Sequence, residues 1–131
     1  MQILGTGVDI VKNSRIKELL KNKNFISRIY TNSEISFSKK IKNKTSYYAK
    51  RFAAKEAFAK ALGTGFRNDL NFKDISITNN KVGKPIFVIN EKLKKIIKKQ
   101  FNTTSLNFFL SISDEKKYSI AFVILQKKND R

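Results

Sequence analysis

Residues 51–65, "RFAAKEAFAKALGTG", decide how the rest of the chain is arranged. They are the second part of a helix predicted from about Ser46 to Leu62, which Gly63 is placed to end. The density of alanine lets another backbone come close, so this helix is expected to be packed rather than solvated. At a 3.6-residue period Glu56 falls on the same side as Ala49, Phe52, Ala53 and Lys60. A carboxylate on a packed face is drawn out of water and needs compensation. An i,i+4 pair with Lys60 would supply it, at ~0.2–0.5 kcal/mol on an exposed helix. A bound cation is the other reading.

Toward the N-terminus, "GTGVDI" at 5–10 raises the same problem. The glycines sit in an apolar run (Ile3, Leu4, Val8, Ile10, Val11) that reads as a buried strand, yet Asp9 stands within it. A dinucleotide fingerprint would need a third glycine at Ile10, and no Gly-Lys-Ser/Thr follows for a P-loop. Asp9 is therefore either a cap or turn residue closing the strand, or a ligand. Asn13 or Ser14 is positioned to cap a first helix with Ile16, Leu19 and Leu20 in one stripe. "TNSE" (31–34) is a capping box opening a second helix with Ile35, Phe37 and Ile41.

Beyond Gly63 the period changes to two. "DISIT" and "PIFVI" flank the turn-forming "NNKVGK", a hairpin pattern. Asn90 caps a short helix "EKLKKIIKK", with Glu91 in its first turn and Lys98 and Lys99 in its last, matching the helix dipole. "LNFFLSIS" and "YSIAFVILQ" are the last two strands, the second apolar on both faces and so expected at the centre of the sheet. The expected fold class is α+β: a mostly antiparallel sheet packed against a long helix, in a single catalytic domain spanning 1–131.

Composition bounds the chemistry. At 131 residues, 40% hydrophobic and 11% aromatic, the chain can bury one core. It has no cysteine and no histidine, which removes thiolate catalysis, thiolate metal sites and the commonest general base. Any metal here is expected to be a hard cation held by oxygen, such as magnesium. No apolar stretch reaches the ~20 residues of a membrane span and no secretion signal is visible, so a cytoplasmic protein without membrane contact is expected. The 28 Lys+Arg against 10 Asp+Glu, a net charge of +18, attract acidic partners, and the skew toward Lys, Asn, Ile and Phe accounts for part of that excess. A non-catalytic basic nucleic-acid-binding protein is the competing reading. It is disfavoured because the cations are spread through every segment and paired carboxylates have no use in a phosphate-binding groove.

Two separated carboxylates in small-residue, apolar settings make a plausible magnesium site completed by water and substrate phosphate oxygens. Arg51, Lys55 and Lys60 are expected to crowd beside it, as a diphosphate substrate requires.

"GTGVDIVKNSRI" followed by "RFAAKEAFAKALGTG" resembles the signature pair of the holo-acyl-carrier-protein synthases, the small single-domain branch of the 4'-phosphopantetheinyl transferases. Further matches follow in order: "DISI" from Asp74, "GKP" at 83–85, and "SIS" with a Tyr-containing final strand at 111–118. The resemblance implies transfer of the 4'-phosphopantetheine arm of coenzyme A to a serine of apo acyl carrier protein, leaving 3',5'-ADP and supporting fatty acid and lipid biosynthesis. It implies Asp9 and Glu56 as magnesium ligands and Lys60 as a phosphate-contacting lysine. Backbone amides at Gly63, Thr64 and Gly65 would close on the nucleotide, with Arg51, Lys84 and Pro85 as further nucleotide contacts. Arg15 and Arg28, with Phe25 as an apolar anchor, would grip the acidic helix of the carrier protein. Where many relatives carry histidine after the "SIS/T" strand, this sequence has Asp114, so no phosphate contact or base role is carried over to it.

A homotrimer is the expected assembly. One long helix and a few short ones leave a face of the sheet short of cover, and the resemblance implies active sites between subunits. The neighbour would contribute part of the nucleotide cleft near Lys84 or Ser113. Phe122 on the last strand is a candidate for that apolar contact.

Overall fold

The computed structural model describes residues 2–67 and 69–129. The element order is β1 (Gln2–Lys12), α1 (Asn13–Leu19), α2 (Lys23–Ile29), α3 (Asn32–Ser38), α4 (Lys44–Leu62), a 3₁₀ turn at Phe72–Asp74, β2 (Ser76–Asn79), β3 (Pro85–Val88), α5 (Glu91–Phe101), β4 (Leu106–Asp114) and β5 (Tyr118–Lys127). β1, β5 and β4 form one antiparallel sheet with β5 in the middle, the place expected for it. β2 and β3 pair as the expected hairpin but form a separate two-stranded sheet. The fold is the α+β arrangement expected, with α4 laid across β1 and β5. Among the described residues no helix is long and apolar enough to cross a membrane.

α4 starts where Asn43 Oδ1 accepts from Ser46 N at 3.0 Å and ends at Gly63, whose φ of +85° is left-handed backbone that favours glycine. Its alanines meet the glycines of β1. A Cβ at Gly5 would collide with the carbonyl oxygen of Ala61, and one at Gly7 with that of Ala57. Small residues on both elements thus bring two backbones into contact, and this docking sets where every α4 side chain points. The helix is buried nearly all round, and only Glu56 and Lys60 lead its sheet-side strip out toward solvent.

One expectation about a helix start is corrected, and two are met. α1 begins at Asn13 itself, with Lys12 at the cap position and no side-chain cap. Asn13 is buried instead and ties the helix to the β4–β5 turn: Nδ2 donates to the carbonyls of Glu115 and Lys116, and Oδ1 accepts from Ser119 Oγ at 2.8 Å. A separate short helix, α2, follows, capped by Asn22. The Thr31–Glu34 capping box and the Asn90 cap of α5 are both present.

The outward face of the three-stranded sheet is apolar and uncovered. Val8 pairs with Phe122 and Ile10 with Ile120 across the β1–β5 ladder, and all four are exposed, Ile10 at 61% and Phe122 at 42%. Phe109 and Tyr118 extend the patch. The inward alternates Ala121, Val123 and Leu125 are fully buried against α4.

Candidate active site

Asp9 stands in mid-strand opposite Ala121, not at a strand end, so the cap or turn reading is set aside. Its side chain points to the α4 side, alternating with the outward Val8 and Ile10. Docking of α4 on Gly5 and Gly7 brings the Glu56–Lys60 turn against it. Lys60 Nζ donates to Asp9 Oδ1 at 3.2 Å and to Val8 O at 2.9 Å. The helical Glu56–Lys60 pair is not formed, and among the described residues Glu56 has no ion pair or side-chain hydrogen bond.

Burial raises the carboxyl pKa of both residues. For Glu56 the negative charge of Asp9 adds to the rise, while Lys60 and Arg15 pull both carboxyls the other way. The site therefore holds two desolvated carboxylates that repel each other and are incompletely neutralised. That donor set fits a hard divalent cation, which would satisfy both at once. Among the described residues no three Asp, Glu, His or Cys side chains converge, so a cation held here would take at most these two carboxylates from the chain and its remaining ligands from water or substrate oxygens.

The other cations of α4 are not beside this pair, which corrects the expectation that Arg51, Lys55 and Lys60 crowd it. At 100° per residue only Lys60 shares the face of Glu56. Lys55 is fully buried on another side, ion-paired to Glu34 at 2.8 Å and donating to the carbonyls of Phe72 and Ile75. Arg51 is also buried, its guanidinium over the Tyr47 ring at 4.1 Å and Nη2 donating to Asn79 Oδ1 at 2.8 Å. Asn79 in turn donates to Gly83 O, so Arg51 reaches the turn carrying Lys84 and Pro85 through Asn79.

The Gly63–Gly65 loop also differs from expectation. Gly63 N donates to Lys60 O and Gly65 N to Ala59 O, so two of its three amides are engaged in capping α4. What remains is a wall poor in side chains: a Cβ at Gly65 would meet nothing within 4 Å. Gln100 of α5 braces it by donating to Leu62 O at 2.9 Å.

Arg15 on α1 is close enough to be felt by both carboxylates. Arg28 lies in the last turn of α2 and borders a groove with Ile29, Phe66 and Phe72. Phe25 is not an exposed anchor. It is 6% accessible and packs edge-on against Tyr30 and Phe52, because α2 turns its apolar side onto α4. Asp114 closes β4 and accepts from Ser46 Oγ at 2.6 Å, tying the strand to the first turn of α4. Sequence reasoning missed the Glu34–Lys55 pair, although the capping box had marked Glu34 as a residue with a fixed position.

The family model described as the 4'-phosphopantetheinyl transferase superfamily matches residues 5–123. A holo-[acyl-carrier-protein] synthase of Pelagibacter ubique (strain HTCC1062) is 67% identical over 128 residues, covering 98% of this chain and 100% of that protein. Among solved structures, holo-[acyl-carrier-protein] synthase from Neisseria meningitidis is 40% identical, with a TM-score of 0.86 over 96% of this chain and 100% of that one. The Bacillus anthracis holo-(acyl-carrier-protein) synthase in complex with CoA (3',5'-ADP) is 35% identical, with a TM-score of 0.81 over 98% of this chain and 100% of that one.

Proposed function

The chain belongs to the 4'-phosphopantetheinyl transferase superfamily, in its holo-acyl-carrier-protein synthase branch, and from that premise we propose that Asp9 and Glu56 form the centre of its reaction. That reaction moves the 4'-phosphopantetheine group of coenzyme A to a serine of apo acyl carrier protein. The observation that carries the assignment is the docking of α4 on β1, which sets Glu56 and Lys60 against Asp9. Asp9 and Glu56 would hold magnesium. When bound, the ion supplies Lewis-acid polarisation of the diphosphate as the serine oxygen attacks the phosphorus. Lys60 neutralises charge on the departing 3',5'-ADP side. The Gly63, Thr64 and Gly65 loop lets the substrate approach closely, and Arg51, Lys84 and Pro85 make the nucleotide end of the cleft, Arg51 acting through Asn79. Incubation with coenzyme A, magnesium and apo carrier protein, followed by weighing the carrier by mass spectrometry, tests this reading. We assign the activity to the cytoplasm and to fatty acid biosynthesis on the resemblance already drawn.

Carrier docking is assigned to the basic surface of α1 and α2, with Arg15 and Arg28 meeting an acidic helix. Arg28→Glu is the cleaner probe, because a reversal at Arg15 would also disturb the carboxylate pair. It is expected to raise KM for the carrier about tenfold with little change for coenzyme A, and to flatten the salt dependence of association. Salt-independent kinetics in the unaltered protein would remove electrostatic docking as the explanation.

The working unit is proposed to be a homotrimer that buries the apolar face of Val8, Ile10, Ile120 and Phe122, with part of each nucleotide cleft, near Lys84 or Ser113, coming from a neighbour. Phe122 points outward, so Phe122→Asp is expected to leave each subunit folded while costing assembly and activity together. Light scattering decides it: a fully active particle of 15.1 kDa would rule the shared site out.

A further inference from the structure

We propose that Lys60 is the resident counter-cation of the metal-free site: its ammonium occupies Asp9 until a divalent cation displaces it, and the displacement frees Lys60 for the phosphates of the substrate. The inference rests on the assignment of Asp9 and Glu56 as metal ligands. Lys60 Nζ bridges two oxygens of one strand, Asp9 Oδ1 at 3.2 Å and Val8 O at 2.9 Å. Glu56, one helical turn away on the same face, is passed over. An ammonium and a hard divalent cation are drawn by the same field to the same carboxylate oxygen, so they compete for it.

The two partners differ in freedom. The Lys60 side chain is 53% exposed on a flexible four-carbon stem, whereas the Asp9 side chain is 18% exposed and fixed on a central part of β1. Arrival of a metal therefore moves the lysine rather than the carboxylate. Withdrawal into water alone leaves the ammonium without an anion, while a bound diphosphate offers it one. Metal and coenzyme A should consequently favour each other's binding, and by linkage the enhancement is reciprocal.

The test is a titration with Mn²⁺ in the absence of coenzyme A, with free ion read by electron paramagnetic resonance. It compares the unaltered protein with Lys60→Met, Lys60→Gln and Asp9→Asn. Glutamine keeps a hydrogen-bond donor for Val8 O but removes the charge, and circular dichroism checks that each variant is folded. Both Lys60 variants are expected to bind Mn²⁺ about tenfold more tightly than the unaltered protein, and Asp9→Asn is expected to lose binding. If Asp9→Asn loses the ion while both Lys60 variants bind no more tightly than the unaltered protein, the counter-cation role is overturned and the metal assignment stands. If Asp9→Asn binds as well as the unaltered protein, the metal assignment fails and the inference falls with it.

Discussion

Asp9→Ala or Glu56→Gln is expected to lower phosphopantetheine transfer on the order of 10³-fold or more, because each removes one of the two carboxylates that hold the cation. Mass of the carrier after a timed reaction measures it, and near-normal turnover in either variant at saturating magnesium would overturn the assignment. The same change has an opposite effect on stability. Burial, and for Glu56 the charge of Asp9, lift these carboxyls above their ordinary values of 3.8 and 4.5. The folded chain then holds those protons more tightly than the unfolded chain does. Metal-free protein therefore loses stability as pH rises from the ordinary values through the raised ones. At neutral pH without metal, Glu56→Gln is expected to melt a few degrees higher than the unaltered protein, and the gap is expected to close below about pH 4. Added magnesium should raise the melting temperature of the unaltered protein and leave that of the variant in place. The charge that the reaction needs is thus one that folding opposes.

Lys55→Met is expected to destabilise the fold by about 3–5 kcal/mol, a large share of the roughly 5–15 kcal/mol that holds a domain of this size together. Lys55 and Glu34 are both 0% exposed at the side chain, so removing the cation strands a carboxylate with no access to water. Glu34 and its cation join four segments: Glu34 accepts from Thr31 N at the start of α3, from Ile77 N in β2 and from Lys55 in α4, while Lys55 reaches the carbonyls of Phe72, which begins the 3₁₀ turn, and of Ile75, which follows it. Urea unfolding measures the loss. The double variant Glu34→Gln, Lys55→Met should recover part of it, since no uncompensated charge is then left inside. A single variant that unfolds with the unaltered protein would show that the pair adds nothing.

Much of this protein is written in local sequence. The Thr31–Glu34 box, the Asn90 cap and the Gly63 stop act within one turn of their helices, so they are readable without any tertiary information. The apolar run of β5 is legible as a strand with two apolar faces, and the pairing sets it between β1 and β4. Asp9 and Glu56 stand out because charge in an apolar, small-residue setting is costly wherever the chain goes. What periodicity does not carry is the surroundings of a helix buried on every side. For α4 the 3.6-residue repeat distinguishes the faces but not their partners, so Arg51 and Lys55 look like company for Glu56 until packing sends one to Tyr47 and Asn79 and the other to Glu34. Phe25 looks equally suited to a partner or a core until α2 is laid on α4. The use of Gly5 and Gly7 is likewise a tertiary fact: as strand residues they are merely poor choices, and only contact with the carbonyls of Ala57 and Ala61 makes them necessary. The two carboxylates and the helix that carries one of them were determined by the sequence. Which cation each acid meets, Lys60 for Asp9 and Lys55 for Glu34, was decided by the tertiary structure, because those pairs span 51 and 21 residues and close only when α4 docks.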